Sequence, residues 1–183
     1  RIQPIVPVHD VMGNFGGQSG TGLGNAQNPV AIMHRTRNNQ SQDRNLFGNV
    51  FAELDILDNL MVRTSFGGEL WGWESESISY PNYENQEPSS TNAFNANSGS
   101  GYNWTWTNTL QYAQTFDKHD VEVLIGAEAY QDVGNQREAS VQGFFSLDPD
   151  YVSLSTGSGT PVVSGWEWES TLLSFFTRLD YIF

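Results

Sequence analysis

Three long runs of the chain alternate apolar and polar residues. In residues 46–56 every even position is apolar or small, and polar side chains such as Asn49 and Glu53 lie between them. The alternation resumes in residues 60–70 and again in residues 121–129. Because successive side chains of a β-strand point to opposite faces, each run predicts a strand with one apolar and one polar face.

The pattern predicts five strands after an irregular N-terminal segment. The strands are expected at about residues 45–57, 60–73, 102–116, 120–131 and 171–183. Residues 1–44 are rich in Gly, Asn and Arg and predict a loop. One short helix is expected at 29–34, because Asn28 can cap a helix and Pro29 suits the first helical position.

Short turns and long connections alternate between these strands. Asp58-Asn59 and Asp117-Lys118-His119 form the expected short turns, whereas residues 74–101 and 143–168 form long polar connections. Long structureless loops are unusual in compact soluble domains. Outer-membrane barrels combine short periplasmic turns with long extracellular loops. The predicted fold class is therefore all-β, with antiparallel up-and-down strands forming part of a large transmembrane β-barrel.

Aromatic residues lie near both ends of the predicted strands. Amphipathic rings favour the boundary between lipid and water, so two aromatic girdles are expected one strand length apart. The candidate interface residues are Trp71, Trp73, Trp104 and Trp106 beside the long connections, and Tyr112 and Phe116 beside a short turn. Aromatics in the core of a soluble sandwich are the alternative.

The alternation also assigns side chains to faces. The residues expected to be exposed on the outer, lipid-facing side are Val50, Leu54, Val62, Leu110, Val123 and Ile125. The residues expected to share the opposite, concave face are Glu53, Arg63, Gln111 and Glu128.

Composition excludes several classes of protein. The 183 residues carry 8 basic and 21 acidic side chains, a formal net charge of -13, which argues against a nucleic-acid partner. The absence of cysteine excludes disulfides, thiol catalysis and Cys-ligated zinc. No stretch approaches the roughly 20 apolar residues of a transmembrane helix. Residues 1–4 show no basic and apolar leader, so the chain is expected to be a piece of a longer protein.

No catalytic or metal site, and no cofactor, is predicted. His9, His34 and His119 are far apart in the sequence, and solvated positions are expected for His34 and His119. Paired acids, Glu53 with Asp55 and Glu122 with Glu128, could serve a glycosidase, but an alternating polar face places carboxylates there anyway. The glycine cluster at 13–24 lacks the lysine of a phosphate-binding loop. The protein is not expected to be an enzyme.

Ligand binding is the more credible chemistry. Indole and phenol rings stack on sugar rings, and acidic or amide side chains bind hydroxyl groups. The candidate ligand-binding residues are Tyr80, Tyr83, Trp166 and Trp168, in or near the long connections. The alternative for Trp166 and Trp168, favoured by their alternate spacing, is an extension of the last strand into the interface girdle.

Several segments resemble one transporter family. They are Asn28-Pro29-Val30-Ala31, Leu46-Phe47-Gly48-Asn49-Val50-Phe51-Ala52-Glu53, Arg63-Thr64-Ser65-Phe66-Gly67, Trp104-Thr105-Trp106-Thr107-Asn108-Thr109-Leu110, Lys118-His119-Asp120-Val121, Leu124-Ile125-Gly126-Ala127-Glu128-Ala129-Tyr130 and Ser174-Phe175-Phe176-Thr177-Arg178-Leu179-Asp180-Tyr181. Their order and spacing are similar to those of SusC/RagA-type TonB-linked outer-membrane transporters, and they cover nearly the whole chain.

The resemblance implies a barrel of about 22 strands, closed by an N-terminal plug and located in the bacterial outer membrane. It implies import of oligosaccharides or peptides. The expected partners are the remainder of the same barrel, a SusD-like surface lipoprotein, TonB acting through a plug that this sequence lacks, and outer-membrane lipid. The rival interpretation is a soluble all-β carbohydrate-binding module or lectin-like sandwich. The end at Phe183 is interpreted as internal to the barrel, with a true C-terminal assembly strand as the alternative.

Overall fold

The computed structural model describes residues 4–18, 22, 24 and 26–183. Its elements are helix α1 (Pro29–Thr36) and strands β1 (Gln40–Leu57), β2 (Leu60–Ser79), β3 (Ala93–Phe116), β4 (His119–Gln142) and β5 (Val162–Ile182), with a 3-10 turn at Pro149–Tyr151. The five strands form one antiparallel sheet in the order β1-β2-β3-β4-β5. The predicted all-β, up-and-down architecture is therefore confirmed.

Some of the N-terminal segment lies outside the described residues. Residues 1–3, 19–21, 23 and 25 belong to this group. The interpretation of residues 1–4 therefore lies outside the described part of the chain except at Pro4, and so does part of the glycine cluster at 13–24.

All five strands are longer than the hydrophobic pattern predicts. β1 begins at 40 rather than 45, β2 continues to 79 rather than 73, and β3 begins at 93 rather than 102. β4 covers 119–142 rather than 120–131, and β5 begins at 162 rather than 171 but ends at 182. The connections shorten to 80–92 and 143–161. Backbone pairing continues beyond the apolar residues because it does not require apolar side chains.

The second short turn also differs from the prediction. Only Asp117 and Lys118 lie between β3 and β4, and Asp117 adopts a left-handed φ of 56°. His119 therefore belongs to β4 rather than to the turn. Its ring stacks on Tyr181 at a centroid distance of 5.8 Å, and its Nδ1 lies 2.6 Å from the Tyr181 hydroxyl. His119 is therefore half-buried and has ring contacts, rather than lying in the turn as expected.

Helix α1 forms where the capping residues predict it and extends two residues further, to Thr36. The Asn28 side chain accepts hydrogen bonds from the backbone N–H groups of Val30 at 3.0 Å and Ala31 at 3.4 Å. Its amide nitrogen donates to the carbonyl oxygens of Val8 and Gly16. Asn28 thus caps the helix and fixes the preceding loop to it.

The residues group into two compact units. The first comprises residues 1–42, 74–98 and 137–165, and the second comprises 43–73, 99–136 and 166–183. The first unit has a small core of Ile78, Phe94, Val141 and Phe144. Across the described residues, no helix is long and apolar enough to cross a membrane.

In the second unit, one sheet face is apolar. Val50, Leu54, Leu110 and Ile125 are exposed to 70%, 64%, 40% and 55%. The predicted exposure is too high for Val62 and Val123, which are half-buried. Both belong to inner strands, β2 and β4, which have a neighbouring strand on each side. We call this surface, which also carries Phe66 and Trp104, the apolar face.

Candidate functional site

The opposite face of the second unit carries charged and amide side chains, and we call it the polar face. Arg63 donates to Glu53 at 2.8 Å, which places both residues on one side of β1 and β2. Similar contacts continue across the sheet, from Asn103 to Glu69, from Thr107 to Glu128 and from Gln111 to Glu122. The four residues predicted to share a face, Glu53, Arg63, Gln111 and Glu128, therefore do so.

Three of the four carboxylates considered for acid-base chemistry, those of Glu53, Glu122 and Glu128, are engaged in structural contacts. Glu53 pairs with Arg63, and Glu122 pairs with Arg178, whose guanidinium also contacts Asp180 at 2.7 Å. Within residues 4–18, 22, 24 and 26–183, no group of three or more His, Cys, Asp or Glu side chains could hold a metal ion.

Two tryptophans of the polar face lie over glycines of the inner strands. A Cβ atom on Gly101 of β3 would lie 2.6 Å from the Trp71 ring. A Cβ atom on Gly134 of β4 would lie 2.2 Å from the Trp168 ring. Because glycine has no side chain, the indoles can occupy this space, whereas any Cβ atom would overlap the rings. Strand glycines often mark such close approach.

The two indoles also contact each other. The ring centroids of Trp71 and Trp168 are 5.8 Å apart, and the ring planes differ by only 17°. Trp71 comes from β2 and Trp168 from β5, so the pair crosses the two intervening strands. The Trp168 Nε1 donates to Asp132 at 3.0 Å, which fixes the orientation of its ring. Trp73 repeats the arrangement one row further along, with its Nε1 2.6 Å from the ideal Cβ position of Gly99.

The candidate interface aromatics divide between the two faces. Trp71 and Trp73 belong to the polar face. Trp104 packs on Phe66 at a centroid distance of 6.0 Å and donates to Gln131, while Trp106 donates to Thr64. Tyr112 and Phe116 alternate in register with Trp104 and Trp106 along β3 and share the apolar face. A role at the lipid boundary stays a prediction.

The other ligand-binding candidates lie in different surroundings. Trp166 belongs to β5 and is 49% exposed, so the predicted extension of this strand is correct. Tyr80 packs against the core of the first unit, and its hydroxyl lies 3.5 Å from the Leu147 carbonyl oxygen. Tyr83 is 72% exposed and lines an open cavity of about 790 Å³ in the first unit. Tyr83 is therefore free to contact a ligand, whereas Tyr80 has a packing role.

An ion pair lines the same cavity. The guanidinium nitrogens of Arg35 contact the Glu84 carboxylate at 2.5 and 2.9 Å, in a bidentate arrangement. Gly17 allows the N-terminal loop to approach, because a Cβ atom there would lie 1.9 Å from the Glu84 carbonyl oxygen. The Arg35 guanidinium also lies 5.5 Å from the centre of the Phe15 ring. His34 packs on this ring too, at 5.4 Å between centroids, although its side chain remains exposed as predicted.

A fall in pH is expected to lower the local stability of the segments around this cavity. The hydrogen bond from Arg35 lowers the pKa of Glu84 below its ordinary value of 4.5, against the opposing effect of burial. A lowered folded-state pKa gives stability that is present above pH 4.5 and is lost as the pH falls through the folded value. We expect hydrogen-exchange protection of residues 29–36 and 80–92, corrected for intrinsic rates, to decline in that range. Glu84→Gln should flatten the decline, and an unchanged profile would contradict this assignment.

Sequence reasoning misses two features of these sites. It detects neither the glycines beneath the indoles nor the Arg35–Glu84 pair, whose members are 49 residues apart. Gly99, Gly101 and Gly134 lie outside the strands that the alternation predicts, so only the longer observed strands reveal them as strand glycines, which often mark close approach of another group.

Comparisons with known proteins identify similar folds. No protein-family model and no curated protein sequence matches the chain. Among solved structures, the RagAB peptide transporter matches 94% of this chain with a TM-score of 0.76 and 22% identity. The open-open state of the RagAB peptide importer gives the same values, and its closed-closed state gives a TM-score of 0.72 and 23% identity. This chain spans 19% of the length of each of those chains. At this identity, the comparison shows a shared fold.

Proposed function

We propose that this chain forms five adjacent strands in the wall of a bacterial outer-membrane, TonB-dependent nutrient importer. The observation that carries the proposal is the apolar face. Its positions carry no charged side chain in residues 46–56 of β1, 60–70 of β2 and 102–112 of β3. Eleven residues extend about 34 Å along a strand. With a tilt of about 45°, this length matches the ~25 Å apolar band of outer-membrane barrels.

Three polar side chains within this band are paired with one another. The Thr64 hydroxyl donates to the Asn108 side chain at 2.8 Å, and the Trp106 indole donates to Thr64 at 2.9 Å. Lipid offers no hydrogen-bond partners, so groups that face it must be satisfied within the protein. This pairing supports lipid as the environment of the face.

The transported substrate would be an oligosaccharide or a peptide. Peptides gain support from the similar fold in the RagAB peptide transporter, and the sequence resemblance allows both classes. In this proposal the rest of the barrel closes against β1 and β5, the edge strands of the sheet. A SusD-like surface lipoprotein and TonB, acting through a plug, complete the machinery.

Refolding of the 183-residue chain alone should show that it needs detergent. Two open edges leave unpaired backbone groups, and the apolar face adds a large exposed surface. We expect the chain to sediment as aggregates in water, to disperse in moderate detergent, and to show no pore conductance. A monodisperse monomer that unfolds cooperatively without detergent would instead support the soluble carbohydrate-binding module.

A further inference from the structure

We propose that Trp71, Trp73 and Trp168 form a platform that binds the cationic side chains of a peptide, those of arginine or lysine. The proposal rests on the proposed function, because it places the peptide inside an importer, and it names the substrate chemistry of the polar face. Two groups of observations carry it, the position of the indoles on the sheet and the charge of the side chains beside them.

The two indoles form one stacked aromatic surface on the polar face. The rings of Trp71 and Trp168 lie against Gly101 and Gly134, whose ideal Cβ positions are only 2.6 and 2.2 Å from ring atoms. The ring planes are nearly parallel, at 17°, and stack with an offset, and both side chains are only half-buried, so part of each ring surface is accessible to a ligand. An indole face carries negative electrostatic potential and attracts cations within about 6 Å of the ring centre.

Carboxylates beside the platform accept hydrogen bonds from neutral donors. Glu69 precedes Trp71 by two residues on the same face of β2 and accepts from the Asn103 amide at 3.3 Å. Asp132 precedes Gly134 in the same way on β4 and accepts from the Trp168 indole. Neutral donors leave the negative charge of both carboxylates uncompensated. A guanidinium or ammonium group would gain a charge-assisted hydrogen bond there in addition to the stacking.

The cations of this face are engaged elsewhere. Arg63 pairs with Glu53, and Arg178 pairs with Glu122 and Asp180. Sugar rings also stack on indoles, but they carry no charge to balance Glu69 and Asp132. Charge complementarity therefore favours a cationic peptide over an oligosaccharide as the occupant.

The test measures binding to the complete protein in detergent by isothermal titration calorimetry. The probes are a capped heptapeptide with two arginines and the same peptide with citrulline, which keeps the shape but removes the charge. We expect the arginine peptide to bind about tenfold more tightly or better, and Trp168→Ala to remove most of this preference. Trp168→Phe, which keeps an aromatic face over Gly134, should retain part of it.

Two further variants separate the stacking from the charge. Glu69→Gln combined with Asp132→Asn should weaken binding of the arginine peptide and leave binding of the citrulline peptide unchanged. Trp106→Ala, on the apolar face, serves as the matched tryptophan control and should change neither. Equal affinities of the wild-type protein for the two peptides would overturn the proposal.

A linear maltooligosaccharide is the third probe. If it binds and Trp168→Ala abolishes that binding while the arginine preference is absent, the platform belongs to a sugar instead. These measurements need neither uptake nor membrane insertion. A failure of insertion with an intact arginine preference would refute the importer alone, and correct insertion without that preference would refute the platform alone.

Discussion

Val50→Arg is expected to reduce sharply the amount of the complete protein that inserts into the outer membrane. Val50 lies at the middle of the uncharged part of β1 and is 70% exposed on the apolar face. An arginine at the bilayer midplane of a barrel costs about 2 to 4 kcal/mol. The measurement is the fraction of folded, heat-modifiable protein in outer-membrane preparations, compared with the wild type at equal expression.

Asn49→Arg supplies the matched control for that experiment. The neighbouring side chain points to the polar face, where a Cβ atom on Gly67 would lie 2.9 Å from that of Asn49. The same change of charge therefore occurs one residue away but on the opposite face of the sheet. We expect insertion close to that of the wild type. Equal loss in the two variants would contradict the assignment of the apolar face to lipid.

The sequence suffices for the faces of the strands because alternation is a local property. Val50 and Glu53 follow a period of two within one strand, and this period needs no knowledge of neighbouring strands. The ends of the strands are harder to predict from the sequence. Residues such as Ser77 and Asn95, which contact each other at 3.4 Å, are polar and read as loop, although their backbones remain paired.

The aromatic platform depends on relations between strands that alternation does not encode. Trp71 and Trp168 contact each other only because Gly101 and Gly134 align between them across the sheet. That alignment is set by the register of three strand pairs, and a shift of one residue would move a tryptophan to the other face. The sequence groups Trp71 with Trp104 because both lie at strand ends beside long connections. The strand register places them on opposite faces of the sheet.

The cavity of the first unit shows the same limit at longer range. Arg35 lies on the last turn of a short helix and Glu84 in a connection between strands, and each alone reads as a solvated charge. Their bidentate contact depends on how the N-terminal loop packs, through Asn28 and Gly17. The polar composition of the two segments therefore gives no indication of the ion pair between Arg35 and Glu84.

Arg35→Met is expected to destabilise the N-terminal part of the first unit more than any other single change around the cavity. The Glu84 side chain is only 7% exposed, so loss of the guanidinium leaves a buried carboxylate without its partner. Removing one member of a fully buried pair costs about 3 to 5 kcal/mol, and about half of that is expected here because the pair lines an open cavity and Arg35 is 20% exposed. The expected result is a loss of about tenfold or more in hydrogen-exchange protection of residues 29–36 and 80–92 in the complete protein.

The double variant Arg35→Met with Glu84→Gln distinguishes a stranded charge from lost packing. Methionine keeps the aliphatic contact with Phe15, and glutamine removes the buried charge, so replacement of both partners costs much less than removal of one. We expect the double variant to recover most of the protection that Arg35→Met loses. Arg37→Met, at the exposed C-cap of α1, should leave the protection unchanged. If the single and double variants lose protection equally, the arginine stabilises this region through packing, and the ion pair contributes little.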